Sequence, residues 1–323
     1  MKSPVTYSPA YTLVPTYECF NRCSYCNFRV DPKQDNWLSL PAAEQTMKRL
    51  GSSQVVEILV LSGEVHPRSS RRKIWLQRIK DICQLALSLG FLPHTNAGPL
   101  SFAEMESLGQ VNVSMGLMLE QITPKLLKTV HANAPSKNPV NRIQQLEQAG
   151  QLKIPFTTGL LIGIGETNTD RLESLEAIAK IHQKWGHIQE VILQPHSLGN
   201  QQTYQNENFN LAELPNLIAS AKKILPNDVR IQIPPNLIRT KKLLLACLNS
   251  GAKDLGGISP KDEVNPDYPH LNAQYLQKML EGSSYQLVSR LPVYPQYYDW
   301  LSPNLHKLVQ KKLKDEEIDL IAD

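Results

Sequence analysis

Runs of β-branched and aliphatic residues alternate with amphipathic stretches along most of this chain. Tyr11-Thr12-Leu13-Val14-Pro15-Thr16 is a short β-rich run, and the stretch from about Pro41 to Leu50 reads as a helix. Val55-Val56-Glu57-Ile58-Leu59-Val60-Leu61 is a β-branched run of the kind buried on both faces in a parallel sheet, and it ends in Ser62-Gly63-Glu64. Trp75, Ile79, Ile82, Ala86 and Leu89 then recur at steps of four and three. That spacing puts them on one helical stripe facing a core, and Gly90 predicts the stop.

The alternation continues. Phe91 to Asn96 predicts a strand, Ser101 caps a helix through Leu108, and Val111 to Leu119 predicts a strand ending at Glu120. Thr123-Pro124 has the cap and first-turn proline of a helix start. After the polar loop Ala134-Pro135-Ser136-Lys137-Asn138-Pro139, a further helix runs to Gly150. Pro155 to Ile164 predicts a strand ending in Gly163-Ile164-Gly165-Glu166-Thr167, followed by a helix with Leu172, Leu175, Ile178 and Ala179 inward. Ile188 to Leu193, Val229 to Ile233 and a weaker Leu255-Gly256-Gly257-Ile258 are the remaining strands, with helices from Leu211 and Thr240 onward. Strand and helix in unbroken succession imply an α/β fold with a parallel sheet, and about eight such units imply a closed (β/α)8-type TIM barrel. A single barrel domain accommodates all 323 residues, with a core at about 5–260 and a C-terminal extension at about 261–323.

In such barrels the chemistry sits on loops after the C-terminal strand ends, and one of these loops is distinctive. Cys19-Phe20-Asn21-Arg22-Cys23-Ser24-Tyr25-Cys26 holds three of the chain's five cysteines, and it follows the first strand. Thiolates spaced Cys-x3-Cys-x2-Cys can each reach one iron of a [4Fe–4S] cube, whose four sites are normally filled by four cysteines. One iron is left open, able to hold a small molecule through nitrogen and oxygen. Radical S-adenosylmethionine (SAM) enzymes hold the methionine end of SAM this way, and Tyr25 just before the third cysteine also resembles that superfamily. A structural zinc site would need a second half-site, whereas Cys83 and Cys247 stand isolated within apolar helical patterns and read as core thiols. Disulfides are disfavoured by the odd count and by an N-terminus without a secretory apolar core.

Composition narrows the partners. The chain is 41% hydrophobic and 20% charged, and 34 Lys and Arg face 30 Asp and Glu for a net charge of +4. The basic residues are scattered or in short runs such as Arg71-Arg72-Lys73 and Lys311-Lys312, a solvated face rather than a nucleic-acid stripe. No apolar run approaches the ~20 residues of a membrane span. An oxygen-sensitive cluster without an export signal is expected in the cytoplasm.

Other strand ends suggest how SAM is held. Ser62, Gly63 and Glu64 form one turn and Gly165 with Glu166 another, where glycine admits backbone close to a ligand and a carboxylate suits SAM's ammonium. Glu120 suits the two ribose hydroxyls, and Arg142 the SAM carboxylate, against a default of surface helix charge. His66, His94 and His196 read individually as structural histidines, and no catalytic acid or base is assigned.

The full set of motifs resembles a narrower family. The cysteine loop with Asn27-Phe28-Arg29, Leu61-Ser62-Gly63-Glu64, His131 to Pro139, Ile154 to Thr167 and Gly256-Gly257-Ile258-Ser259-Pro260 together resemble subunit 1 (the CofG family) of 7,8-didemethyl-8-hydroxy-5-deazariboflavin (FO) synthase. The resemblance runs from Tyr11 to Arg290-Leu291-Pro292-Val293-Tyr294-Pro295. Two features depart from the expected pattern: Ser62 stands where many radical SAM enzymes have a glycine, and the segment after Pro260 is shorter. The resemblance implies that a reduced cluster cleaves SAM to a 5′-deoxyadenosyl radical. The radical takes hydrogen from the benzylic carbon of 5-amino-5-(4-hydroxybenzyl)-6-(D-ribitylimino)-5,6-dihydrouracil. Ring closure and loss of ammonia then give FO, on the route to coenzyme F420. It also implies an electron donor and functional coupling to subunit 2, the tyrosine-dependent sister that makes the substrate. Thr95, Asn96, Gln194, His196 and Ser259 are polar candidates for the uracil and ribityl groups. The alternatives are the sister reaction, a sulfur insertion, for which no second cysteine group exists, or a non-catalytic iron–sulfur or zinc protein.

Overall fold

The structure is a computed structural model that describes residues 2–51, 53–205, 208–238, 240–269 and 271–315. The strands are β1 (Ser3–Leu13), β2 (Glu57–Leu61), β3 (Leu92–Asn96), β4 (Ser114–Gly116), β5 (Phe156–Ile162), β6 (Ile188–Pro195), β7 (Arg230–Gln232), β8 (Asp254–Ile258) and β9 (Tyr285–Ser289). Between them run helices α1 (Leu40–Leu50), α2 (Arg72–Ser88), α3 (Phe102–Gly109), α4 (Pro139–Gln151), α5 (Asn168–Trp185), α6 (Leu214–Ile224), α7 (Lys241–Ser250) and α8 (Ala273–Leu280), with α9 (Pro303–Asp315) last.

Each strand from β1 to β8 pairs in parallel with the next, and β8 pairs back onto β1, so the expected barrel closes. The α2 stripe buries Trp75, Ile79, Ile82 and Ala86 completely, with Cys83 beside them; Cys247 is equally buried on α7. Both are packing thiols.

Three elements differ most from expectation. β1 begins at Ser3 and ends at Leu13 rather than spanning Tyr11 to Thr16. Prolines normally demote a run to a non-strand, yet Pro9 falls where one edge of β1 changes partner, from β9 along Ser3–Tyr7 to β2 along Ala10–Leu13. The helix expected at Thr123-Pro124 is only a 3-10 turn, Pro124–Lys128, and the Thr123 hydroxyl does not cap it. β4 is limited to Ser114–Gly116, although backbone bonds from Val113, Leu117 and Glu120 to neighbouring strands extend the same path.

The chain after β8 completes the barrel's lower end. β9 adds a parallel strand beside the start of β1. Leu291, Val293, Tyr294, Tyr297, Leu305 and Val309 then pack on Val56, Leu92 and Val113, at the entry ends of β2 to β4. This segment covers the end of the barrel opposite the cysteine loop.

Helix α5 starts with a capping box in which Thr167 and Asp170 exchange hydrogen bonds. The Thr167 hydroxyl and backbone hold the Asp170 carboxyl below the ordinary carboxylate range. A carboxyl whose folded pKa is depressed stabilises the fold fully above its unfolded value, and the contribution is lost as pH falls through the folded value. Asp170→Ala is expected to cost about 1 kcal/mol at neutral pH. The difference from the parent should shrink below about pH 4, as urea titrations at several pH values will show; a pH-independent difference would assign the loss to packing.

Candidate functional site

The cysteine loop is held on three sides by backbone hydrogen bonds. Cys19 N–H donates to Val30, Phe20 N–H to the Glu64 carbonyl, Arg22 N–H to Asn133 and Ser24 N–H to Val130. Gly63 lets the β2 turn cross beneath it: a Cβ there would lie 2.2 Å from the Glu18 carbonyl oxygen. Cys19, Cys23 and Cys26 are unbridged and partly buried, and all line the mouth of one cavity of about 380 Å³ inside the barrel. That volume lies within the range of small-molecule sites.

Burial, and then the nearby Glu64 carboxylate, push the Cys19 thiol up to about 11; burial pushes Cys23 up to about 12, with Lys137 opposing and the Cys26, Glu120 and Cys19 charges adding. Without a cationic centre these two thiols keep their protons, so metal binding must displace them. No three His, Cys, Asp or Glu side chains among the described residues form a group that would hold a single metal ion. A cube takes one thiolate at each of several corners, which is the demand that three cysteines around a common mouth meet.

Around the mouth lies a charged ring. Glu64 accepts from Asn21 Nδ2 at 2.9 Å and lies 3.5 Å from Arg142 Nη2; the Asn21 Oδ1 in turn accepts from Ser136 N–H. Glu120 has a left-handed backbone, φ 66, an unfavourable conformation for a residue with a side chain and one that clusters at functional sites. Its carboxylate pairs with Lys137 and faces Arg142 Nη1 at 4.0 Å. Burial raises the pKa of Glu120, but Lys137 and Arg142 outweigh it and hold the carboxyl below its usual range. Burial and Arg142 lower that of Lys137, while Glu120, Cys23 and Glu64 raise it above normal.

Tyr25 lines the cavity, its hydroxyl 3.0 Å from His131 Nε2. Ser62 accepts from Trp75 Nε1 and donates to the Gly63 carbonyl, which locks the turn. Arg142 is only 1% exposed, so surface helix charge is excluded; it donates to the Ser136 and Met118 carbonyls and orients the two glutamates. Gly165 and Glu166 lie outside the cavity lining. Glu166 turns onto its own loop, accepting from Gly163 and Ile164 N–H at 2.7 and 2.9 Å and from Arg171, and Gly165 serves that turn at φ 109.

Of the polar candidates further in, Asn96, Gln194 and His196 line the cavity. Thr95 and Ser259 do not: Thr95 donates to Asn112 behind the sheet and Ser259 accepts from Thr12 N–H. The floor carries a buried ionic group that sequence reasoning missed. Arg290 donates to both Asp254 oxygens at 2.6 and 2.9 Å and to Glu190, and Tyr294 hydroxyl reaches the same two carboxylates. Lys137 was missed as well, although it stands in the Pro135-Ser136-Lys137 stretch quoted above. Its position in a polar loop gave no sign of the Glu120 pairing.

The chain is similar to known proteins over nearly its full length. Residues 13–178 match the Radical SAM superfamily model. It is 66% identical over 306 residues to 7,8-didemethyl-8-hydroxy-5-deazariboflavin synthase of Trichormus variabilis, covering 95% of this chain and 90% of that one. The synthase of the same name from Trichodesmium erythraeum is 62% identical over 311 residues, covering 96% and 98%. Among solved structures, the FeFe-hydrogenase maturase HydG from Carboxydothermus hydrogenoformans superposes with a TM-score of 0.70 at 18% identity, over 96% of this chain and 77% of that chain. Methylornithine synthase PylB gives 0.62 at 16% identity, over 86% and 78%. These two share the fold.

Proposed function

The chain belongs to the radical SAM superfamily and, within it, to the family of 7,8-didemethyl-8-hydroxy-5-deazariboflavin (FO) synthases, and from that premise we propose that it performs the subunit 1 reaction. Its substrate in this reading is 5-amino-5-(4-hydroxybenzyl)-6-(D-ribitylimino)-5,6-dihydrouracil, its products FO and ammonia, and its setting coenzyme F420 biosynthesis in the cytoplasm, with an external electron donor. The family uses a [4Fe–4S] cluster and SAM, which supply a 5′-deoxyadenosyl radical when bound. Three thiols at the open end of a cavity with a polar, closed floor are the observation that carries the reading.

The chain's own residues do the rest. Cys19, Cys23 and Cys26 each offer one ligand and leave one site for SAM. Glu64, steadied by Asn21 and Arg142, would receive the SAM ammonium, while Ser62 fixes the turn. Glu120 would receive the ribose, and Lys137, paired with it, would take SAM's carboxylate. Arg142 thus acts by holding the two acids. Tyr25 would border the cluster, while Gly165 and Glu166 serve their own turn. Leu59, Leu61, Met118, Leu161 and Ile192 line the walls and keep water from the reacting carbon, which must lie within roughly 3–3.5 Å of its attacker.

The test is an adduct deuterated at the benzylic carbon. Deuterium is expected in 5′-deoxyadenosine, with FO fluorescence appearing in the absence of subunit 2. Adduct formation from tyrosine and the ribityl-uracil by this chain alone would move the assignment to the sister reaction. A narrower check concerns Glu64→Gln. Removing one charge-assisted bond worth roughly 1.5–3 kcal/mol should weaken SAM binding by about 10- to 100-fold, with iron content retained. Calorimetry showing unchanged affinity would refute that role for Glu64.

A further inference from the structure

Below the charged ring, His94 points from β3 into the cavity and is 8% exposed. Its Nδ1 lies 2.7 Å from the Ser114 hydroxyl, and that hydroxyl donates its one proton to the Pro292 carbonyl at 2.6 Å. A carbonyl can only accept, so the Ser114 proton is committed and Nδ1 must be the donor in the other bond. Burial, then the Arg290 charge, hold the imidazole neutral with a pKa lowered to about 3. In a neutral ring with its proton on Nδ1, Nε2 is an acceptor. No hydrogen bond from the described residues reaches Nε2.

The space before Nε2 is kept open by Gly116, which also lines the cavity: a Cβ there would stand 2.9 Å from Nε2 and 3.2 Å from the Thr157 carbonyl. The Pro292 carbonyl takes a second donor, Gln189 Nε2, at 3.1 Å. The C-terminal segment therefore determines which nitrogen of His94 carries its proton.

Resting on the activity proposed above, we propose that His94 Nε2 is the acceptor that fixes the substrate by an N–H of its pyrimidine ring. A hydroxyl can donate or accept, so it has no need of an acceptor with a locked proton position. A ring N–H only donates, and a tautomer fixed from behind by Ser114 and Pro292 selects for it. His94 is thus a specificity residue, and Ser114 a positioning residue acting through it.

The experiment uses the reconstituted holoenzyme with the adduct and with an adduct methylated at the ring nitrogen. For the parent enzyme, methylation should raise KM by about 10- to 100-fold, since a buried acceptor loses its donor. His94→Leu should raise KM for the normal adduct to a similar extent, with no further penalty from methylation, and His94→Gln, which keeps an acceptor, should recover part of the loss. Gly116→Ala should raise KM by filling the slot, and Ser114→Ala by freeing the tautomer, in each case with a smaller change in kcat. Iron content and SAM affinity near the parent's show that each variant is folded. Should His94→Leu not fold, the Gly116→Ala and methyl-adduct arms decide. An unchanged KM in folded His94→Leu, or in Gly116→Ala and with the methylated adduct, overturns this assignment alone. A parent enzyme that makes no FO from the adduct overturns the activity reading and this inference with it.

Discussion

Cys19→Ala, Cys23→Ala and Cys26→Ala proteins are each expected to emerge from anaerobic reconstitution without a stable cluster and to cleave no SAM, whereas the parent should hold about four irons. The reason is the ligand count. A cube held by three thiolates already spends its fourth site on SAM, so loss of one thiolate leaves two. The other cysteines cannot substitute, because Cys83 and Cys247 are fully buried in the helical layer. Iron and sulfide analysis with the 5′-deoxyadenosine yield checks this. A parent protein that binds a single zinc and leaves SAM intact, or an alanine variant that keeps its four irons, would remove the basis of the functional reading.

Arg290→Met should be among the most destabilising substitutions outside the cysteine loop. The guanidinium is shared between two buried carboxylates, Asp254 and Glu190. Removing one partner of a buried ionic group costs about 3–5 kcal/mol, because the remaining charge has lost its compensation. Burial, countered by Arg290, leaves the Asp254 carboxyl below its ordinary range, whereas burial pushes Glu190 up to about 7 despite Arg290. In the variant at neutral pH one acid must stay charged without a partner or take up a proton. Asp254→Asn and Glu190→Gln placed in the Arg290→Met background should therefore return part of the loss. Urea denaturation followed by circular dichroism measures both effects, and a loss below 1 kcal/mol for Arg290→Met would mean that water enters the floor and screens the pair.

Several features were legible without coordinates because they are local. The cysteine spacing lies within one loop, and its chemistry depends only on three thiols being within reach of one cube. Helix α2 announced itself by a stripe at steps of four and three, and α5 by the cap at Thr167. Even the weak eighth strand was readable, since each β-run was followed by a helix and about eight such units imply a barrel. The failures are also local in origin. Pro9 hid the start of β1 because a proline's missing donor matters only when a partner strand needs it. Thr123-Pro124 carried a start signal that no long amphipathic stripe followed.

What the sequence by itself determined is the parallel barrel and the cysteine loop at its open end, since hydrophobic period and residue spacing are properties of short segments. Only the tertiary structure decided which polar groups share a site. Arg142 reads as surface charge on a helix, yet closure of the barrel buries it between Glu64 and Glu120. Glu166 reads like Glu64, yet its side chain closes its own turn. Arg290, Asp254 and Glu190 come from segments far apart in the chain, and they meet because β9 docks beside β1 and directs the following residues under the barrel. The proton position on His94 depends on a carbonyl almost two hundred residues later in the sequence. Such pairings are set by strand register and side-chain direction at long range, where a one-residue shift would turn each group to the opposite face.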